Sequence, residues 1–410
     1  MTDFAARAEA ATAAMRDVFP ATPLQRNDYL SDRYKADIWL KREDLTPVRS
    51  YKLRGAFNAM RKLDGGQIAC ASAGNHAQGV AWMCRHLGMD GVIFMPVTTP
   101  GQKIDKTRLF GGDRVTIRLT GDFFDDTLAA AKAFCAETGA HFLSPFDDPD
   151  VIEGQASVAV EMGKQMPNPP DLIVVPVGGG GLSAGMLAYL RSVGRVPDIR
   201  YVEPLGGASL TAALAAGKLV TLPALDNFVD GAAVARIGAA PFEILRQIPP
   251  QHVLRVPEDR LCITIQELLN TEGVVLEPAG ALSVDALRDL GPEVEGRRVV
   301  CVTTGGNFDF ERLPDVKERA MRFAGLKKYY VLRMPQRPGA LKDFLGLLGP
   351  DDDIARFEYL KKSARNFGSV LIGIETTDPQ SFDALEAKMT AQGLAHNDLT
   401  ADPMLGELLI

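Results

Sequence analysis

None of the five cysteines (Cys70, Cys84, Cys135, Cys262 and Cys301) forms a C-x-x-C pair, and their odd total and scattered spacing argue against a zinc site or a disulfide framework. A surplus of positive charge is also missing. With 45 Lys and Arg against 52 Asp and Glu the net charge is −7, so no nucleic-acid partner is expected. No run of about 18 apolar residues occurs, so no membrane span and no membrane partner are expected. The opening "MTDFAARAEAATAAMRDVF" is an Ala-rich amphipathic helix carrying acids, without the basic and apolar regions of a signal peptide. Internal repeats and low-complexity segments are absent too. These absences leave a soluble protein of a reducing cytoplasm with no metal site. What is present is ample: 410 residues, 46% of them hydrophobic, suffice for two or three domains with a large core.

Short apolar, β-branched runs recur with helical stretches between them: "DIWLK", "QIACASA", "GVIFMPV", "RVTIRLT", "HFLSPF", "LIVVPVGG", "IRYVEP", "HVLRVP" and "RVVCVTTGG". Runs apolar on both faces, alternating with helices of about 10–15 residues, predict parallel strands covered on both sides. The class is α/β up to about residue 320, and a site is expected at the carboxyl ends of the strands.

After Ala324 the pattern changes. "KKYYVLRMP" reads as a strand, "RPGALKDFLGLLG" as a turn and helix, and "IARFEYLKKSARNFGSVLIGIET" as two strands around a Ser-Ala-Arg-Asn-Phe-Gly turn. "DPQSFDALEAKMTAQG" reads as a helix capped by Asp378, and "LAHNDLT" as a last strand. The order βαββαβ describes a ferredoxin-like unit of about 80 residues, with a boundary near 320–327.

Three motifs carry chemistry. In "LIVVPVGGGGLSAGMLAYL" a buried strand runs into Gly178, Gly179, Gly180 and Gly181 and then a helix, so that backbone N–H groups and a helix N-terminus converge on an anion. The same stretch also matches a dinucleotide fingerprint, Gly179-x-Gly181-x-x-Ala184, with Glu203 where a ribose-binding acid would sit; a plain glycine-rich turn is the third alternative. In "ASAGNHAQGVAWMCRHLG", Ser72 and Asn75 stand at capping positions, and the amides of Gly74, Asn75 and His76 are placed to hold a carboxylate. In "VVCVTTGGNFDF" a strand ends at Thr303-Thr304, where a hydroxyl could face a heteroaromatic nitrogen or simply form a turn.

Lys52, in "SYKLRGAF", is either a solvated cation with a buried stem or a desolvated amine of lowered pKa, able to form a Schiff base. A nicotinamide enzyme has no need of such a lysine. Pyridoxal 5′-phosphate needs an amine, a phosphate cradle and a partner for its ring nitrogen.

"SYKLRGA", "SAGNHAQG", "GGGGLSAG", "EGVVLEPAGA" and "TTGGN", in that order over residues 30–320, closely resemble the fold-type II pyridoxal-phosphate enzymes (tryptophan synthase β-like, with two parallel-sheet subdomains), and within them the threonine dehydratases. The tail resembles the single regulatory ACT-like domain of the shorter biosynthetic members. The resemblance implies a catalytic domain over 1–322, with a smaller subdomain at about 45–145, and an ACT-like domain over 326–410. It implies that Lys52 holds the cofactor, that Asn75 hydrogen-bonds its phenolic oxygen, that Gly178 to Leu182 bind its phosphate and that Thr304 faces its ring nitrogen. The family usually has serine at this last position. Ser72, Ala73, Gly74, Asn75 and His76 would bind the substrate. The implied reaction is β-elimination from L-threonine, and from L-serine, giving 2-oxobutanoate from the former with ammonia, as the first step of isoleucine biosynthesis. Isoleucine as inhibitor, valine opposing it, a site near Arg337-Pro338-Gly339 and a homodimer or homotetramer follow from the same resemblance.

The rivals are a serine or threonine racemase or another pyridoxal-phosphate amino-acid lyase of the same fold, a nicotinamide oxidoreductase and a catalytically inactive amino-acid sensor. Similar serine racemases carry a second serine where this chain has Ala73, and that hydroxyl is their acid/base on the opposite face of the substrate.

Overall fold

The computed structural model describes residues 2–360 and 366–402. By internal contacts the chain divides into two compact units, 1–308 and 309–410. The strands of the first are β1 (Leu24–Arg26), β2 (Asp37–Arg42), β3 (Ile68–Ala71), β4 (Gly91–Met95), β5 (Val115–Leu119), β6 (His141–Phe142), β7 (Leu172–Pro176), β8 (Asp198–Pro204), β9 (Val253–Val256) and β10 (Arg298–Thr303). They form a six-stranded sheet in the order β1-β2-β10-β7-β8-β9 and a four-stranded sheet in the order β5-β4-β3-β6. Every residue of β3, β4 and β7 is buried, as runs apolar on both faces require when helices cover a sheet on both sides.

Two details depart from the sequence reading. The larger sheet is mixed and not wholly parallel, because β1 pairs antiparallel with β2. Three residues are too few to carry a periodic signal, and their place is set by the edge of β2 that they cover. The expected strand "HFLSPF" keeps only His141–Phe142 in pairing. Leu143 still donates to the Ala69 carbonyl at 2.8 Å, but Pro145 has no N–H with which to continue.

The carboxyl ends of β3, β7 and β10 lead respectively into the Ser72–Gly74 loop, the glycine run and the Thr304–Asn307 segment. The helix Lys52–Met60 brings a further element to this edge. It is fixed from behind by a buried charge network. Arg54 lies fully buried, its Nε 2.6 Å from Glu43 Oε2 and its Nη1 2.8 Å from Glu161 Oε1. Lys41 Nζ reaches Glu161 Oε2 at 2.7 Å and the Thr22 carbonyl at 2.8 Å. Burial pushes the Glu161 carboxyl up, but the charges and hydrogen bonds of Arg54 and Lys41 outweigh it and hold the group at about 2. Such charges survive burial because each has an opposite partner in hydrogen-bonded geometry.

The second unit contains the helix Leu313–Phe323, β11 (Lys327–Pro335), the helix Ala340–Leu345, β12 (Asp353–Leu360), β13 (Phe367–Glu375), the helix Gln380–Ala391 and β14 (His396–Asp398). Its sheet is antiparallel throughout, in the order β12-β13-β11-β14. That is the ferredoxin-like arrangement. Tyr330, Leu332 and Met334 alternate along β11 into a core shared with Val370, Ile372 and Ile374 of β13 and with Phe382, Leu385 and Met389 of the helix Gln380–Ala391. Asp378 accepts from the Gln380 amide at 3.0 Å, next to the N-terminus it was expected to cap. Of the expected turn between β12 and β13, Ser363, Ala364 and Arg365 lie outside the described residues.

Candidate active site

The glycine run is glycine because nothing larger fits. A Cβ on Gly179 would stand 2.1 Å from the Phe146 ring, and one on Gly178 would stand 2.9 Å from the backbone of Ala232. Gly180 adopts φ +87° as the residue before the helix Gly181–Ser192, a conformation other residues reach only with strain. The result is a strand-to-helix corner closed to side chains, at the positive end of a helix whose first amides have no intrahelical acceptor. Glu203 takes no part. It is buried at the end of β8 and accepts from the amides of Leu210 and Thr211, at 2.6 and 2.9 Å, at the start of the helix Ser209–Ala216. An acid spent on a helix N-terminus does not bind a ribose, so the dinucleotide alternative loses its second element.

Lys52 is the first residue of its helix, and its Nζ donates to the Pro145 carbonyl at 3.0 Å. The rings of Tyr51 and Phe146 flank it at 5.3 and 5.8 Å. Burial pulls its pKa down to about 8, against the partial opposition of Glu277. This desolvation favours the lowered-pKa amine over the solvated cation.

Asn75 opens the helix Asn75–Leu87, and its Nδ2 donates to Glu277 Oε1 at 2.6 Å. Its Oδ1 accepts from Asn307 Nδ2, also at 2.6 Å. Burial, reinforced by Asp230, raises Glu277 to about 7, with Asn75, Lys103 and Lys106 pulling the other way. Around this pair Lys103 meets Asp230, and Lys106 meets Asn307 Oδ1.

Neither Ser72 nor Asn75 caps the helix as expected. The cap position falls to Gly74, which has no side chain for the purpose, and Ser72 Oγ instead accepts from the Gly74 amide at 3.2 Å. That amide is therefore engaged, while those of Asn75 and His76 lie in the first helical turn, where no intrahelical acceptor exists. The His76 ring turns away, its Nε2 2.9 Å from the Leu143 carbonyl, and burial together with nearby Lys52 lowers its pKa to about 3. It is a neutral donor holding the loop, whose contribution to a ligand is its backbone. Thr304 lies buried just beyond β10, and its hydroxyl donates to the Ala279 carbonyl at 3.0 Å.

The fold thus brings Lys52, Ser72–His76, Gly178–Leu182 and Thr304 to the same strand-end region. Glu277, Asn307 and Phe146 were missed. Glu277 sits in the quoted "LEPAG", but before Pro278 it reads locally as an ordinary helix start. Asn307 was visible only as the end of "TTGGN".

A family described as pyridoxal-phosphate dependent enzymes matches residues 16–305, and one described as the C-terminal regulatory domain of threonine dehydratase matches 318–409. The biosynthetic L-threonine dehydratase of Bacillus subtilis (strain 168) is 47% identical over 401 residues, 97% of this chain and 95% of that protein. The solved structure of processed threonine deaminase isoform 2 from Solanum lycopersicum is 34% identical with a TM-score of 0.72, covering 78% of this chain and 94% of that one. A second threonine deaminase crystal structure, from an organism abbreviated T.th., is 30% identical with a TM-score of 0.69, covering 74% of this chain and 98% of that one.

Proposed function

The chain belongs to the pyridoxal-phosphate-dependent threonine dehydratases, and we propose that Lys52 carries the cofactor in the deamination of L-threonine to 2-oxobutanoate and ammonia. The observation that carries the site assignment is the Lys52 amine, half-buried between the Tyr51 and Phe146 rings and held by the Pro145 carbonyl, at the same strand ends as a glycine corner and an Asn75–Glu277 pair. Three features fit pyridoxal 5′-phosphate. The corner leaves no room for a Cβ at Gly178 or Gly179. Ser183 Oγ, in the first turn of the following helix, is buried without a hydrogen-bond partner among the described atoms. Thr304 offers a neutral hydroxyl, here donated to the Ala279 carbonyl, which on turning to a ring nitrogen would leave it largely unprotonated.

When bound, the cofactor supplies an electron sink that acidifies the amino acid's Cα–H bond and lets the β-hydroxyl leave. The chain's own residues do the rest. Gly178 to Leu182 would hold the phosphate through backbone amides and the helix N-terminus, Asn75 Nδ2 would donate to the phenolic oxygen, and Thr304 Oγ1, released from the Ala279 carbonyl, would face the ring nitrogen. The amides of Asn75 and His76, left free at the start of the helix, hold the substrate carboxylate beside Ser72 and Ala73. Lys52 Nζ, largely unprotonated above about 8, takes the Cα proton. Tyr51 and Phe146 keep water from that amine. Ala73 presents no hydroxyl to return a proton from the opposite face, which favours elimination over racemisation. L-Serine, with the same β-hydroxyl, is a second substrate, and the reaction is the first step of isoleucine biosynthesis.

The C-terminal unit is the seat of feedback control in this reading, with L-isoleucine as inhibitor and L-valine opposing it. A cavity of about 410 Å³ is lined by Met334, Arg337, Gly339, Leu345, Phe357 and Tyr359. Arg337 there pairs at 2.6 Å with Asp343, both more than half exposed. An exposed pair of this kind is weak, so a ligand carboxylate can displace Asp343. The protein acts as a cytoplasmic homo-oligomer, dimer or tetramer, which light scattering on the eluted protein distinguishes.

The test is to add L-threonine to the full-length holoprotein and assay 2-oxobutanoate alongside the visible absorption band. Both signals are expected, and both are expected to vanish in Lys52→Ala. A Lys52→Ala protein that stays coloured and active would overturn the assignment.

A further inference from the structure

The orientation of an asparagine amide is decided by its neighbours, and here the neighbours leave no choice. Lys106 Nζ, which can only donate, meets one end of the Asn307 side chain, making that end Oδ1. The Val48 carbonyl, which can only accept, lies 2.9 Å from the other end, making it Nδ2. That same nitrogen is 2.6 Å from Asn75, so the Asn75 atom facing it must be Oδ1, and Asn75 Nδ2 is turned to Glu277. Asn75 Nδ2 carries two protons. One goes to Glu277 Oε1, and the other remains to be donated.

We propose that Asn307, polarised by Lys106, is the positioning residue that fixes Asn75 with its remaining N–H directed to the phenolic oxygen of the cofactor. The inference rests on the assignment of Asn75 to that oxygen. Were the Asn75 amide reversed, Oδ1 would face both Glu277 and the cofactor oxygen, three acceptors with no proton among them while Glu277 is ionised. The chain of contacts also has a reach that Asn75 alone lacks. Lys106 sits on the helix Gly101–Gly111, between β4 and β5, whereas Asn307 follows β10 of the other sheet. The cofactor's hydrogen bond is thereby made conditional on the two sheets being in register. Asp230, with Lys103 on the same helix, forms a parallel tie.

The experiment compares Asn307→Ala, Asn307→Asp, Lys106→Met, Asn75→Ala and the double variant Asn75→Ala/Asn307→Ala. Each is the full-length holoprotein. The readouts are the cofactor dissociation constant by equilibrium dialysis and the visible absorption band. Asn307→Ala is expected to weaken cofactor retention about tenfold and to move the band, the scale of one lost buried hydrogen bond. In the Asn75→Ala background the same change is expected to do nothing further. Asn307→Asp keeps the volume and the Lys106 contact but offers Asn75 only acceptors. A purely volume-filling role predicts wild-type behaviour for it, a role confined to the Val48 carbonyl predicts a loss that persists in the Asn75→Ala background, and positioning predicts a loss at least as large as that of Asn307→Ala that disappears in that background. Should either Asn307 variant fail to fold, Lys106→Met is expected to show the same band shift more weakly. Equal losses from Asn307→Ala in both backgrounds, or a wild-type band in Asn307→Asp, would overturn the inference. An Asn75→Ala protein with wild-type retention and band would instead remove its premise, the contact between Asn75 and the cofactor.

Discussion

Asn75 Nδ2 and Glu277 Oε1 lie 2.6 Å apart although 202 residues separate them in the chain. The first residue opens the helix after β3 of the smaller sheet, and the second precedes the helix Pro278–Asp285 on the larger one. Their contact joins the two sheets beside the Lys52 amine, whose charge Glu277 also feels.

Glu277 gives this contact a pH signature. Its carboxyl is raised from 4.5 to about 7, chiefly by burial, so between those values the folded chain binds a proton that the unfolded chain has released. The stabilisation from that group is complete below 4.5 and lost as the pH climbs through about 7. Relative to a Glu277→Gln variant, the cofactor-stripped protein is expected to lose up to about 3 kcal/mol over this window. Urea midpoints of both proteins at pH 5 and pH 7.5 measure it, and parallel changes in the two would refute it.

The amine of Lys52 makes a kinetic prediction. Burial lowers it to about 8, and only the neutral amine adds to an aldehyde. The rate at which the stripped protein captures pyridoxal 5′-phosphate should rise with pH and level off above about 8. Stopped-flow absorbance reads this directly, and a rate still climbing towards pH 10 would contradict it.

The glycine corner predicts a steric penalty with a remedy. In Gly179→Ala the new methyl meets the Phe146 ring at 2.1 Å. The variant is expected to lose about 1–3 kcal/mol of stability and most of its cofactor affinity. Phe146→Leu in the same chain should recover part of both, as measured by thermal melting and dialysis. No recovery would mean that the ring is not what excludes the methyl.

Removing Arg54 should be far costlier than a surface charge change. Arg54→Ala leaves Glu43 and Glu161 buried with one cation fewer, a loss of about 3–5 kcal/mol. Denaturant unfolding checks this. A cost near 1 kcal/mol would show that the network relaxes on losing its centre.

The regulatory reading is open to a binding measurement. L-Isoleucine titrated into the full-length protein is expected to bind and inhibit, and Arg337→Ala to weaken binding at least tenfold. Calorimetry and the 2-oxobutanoate assay report the two effects. Unchanged inhibition in Arg337→Ala would place the effector outside the cavity at Met334 and Phe357.

The α/β class and the ferredoxin-like tail were legible in the sequence as local signals, and Lys52, the Ser72–His76 loop, the glycine run and Thr304 stood out there as candidates whose roles came from the resemblance. Strands buried on both faces give unbroken apolar runs, and corners that admit no Cβ give glycine. What the sequence could not determine is which polar groups meet once these pieces assemble. The three-residue β1, the spent carboxylate of Glu203, the turn of the His76 ring to the Leu143 carbonyl, and the Lys106–Asn307–Asn75–Glu277 chain all depend on partners brought from elsewhere in the fold. Asn75 and Asn307 stand 232 residues apart, and Arg54 and Glu161 stand 107 apart. No periodicity carries information over such spans. Only the tertiary structure, by removing water and forcing every buried donor to find an acceptor, decided those pairings, and with them the charge and direction of each group around Lys52.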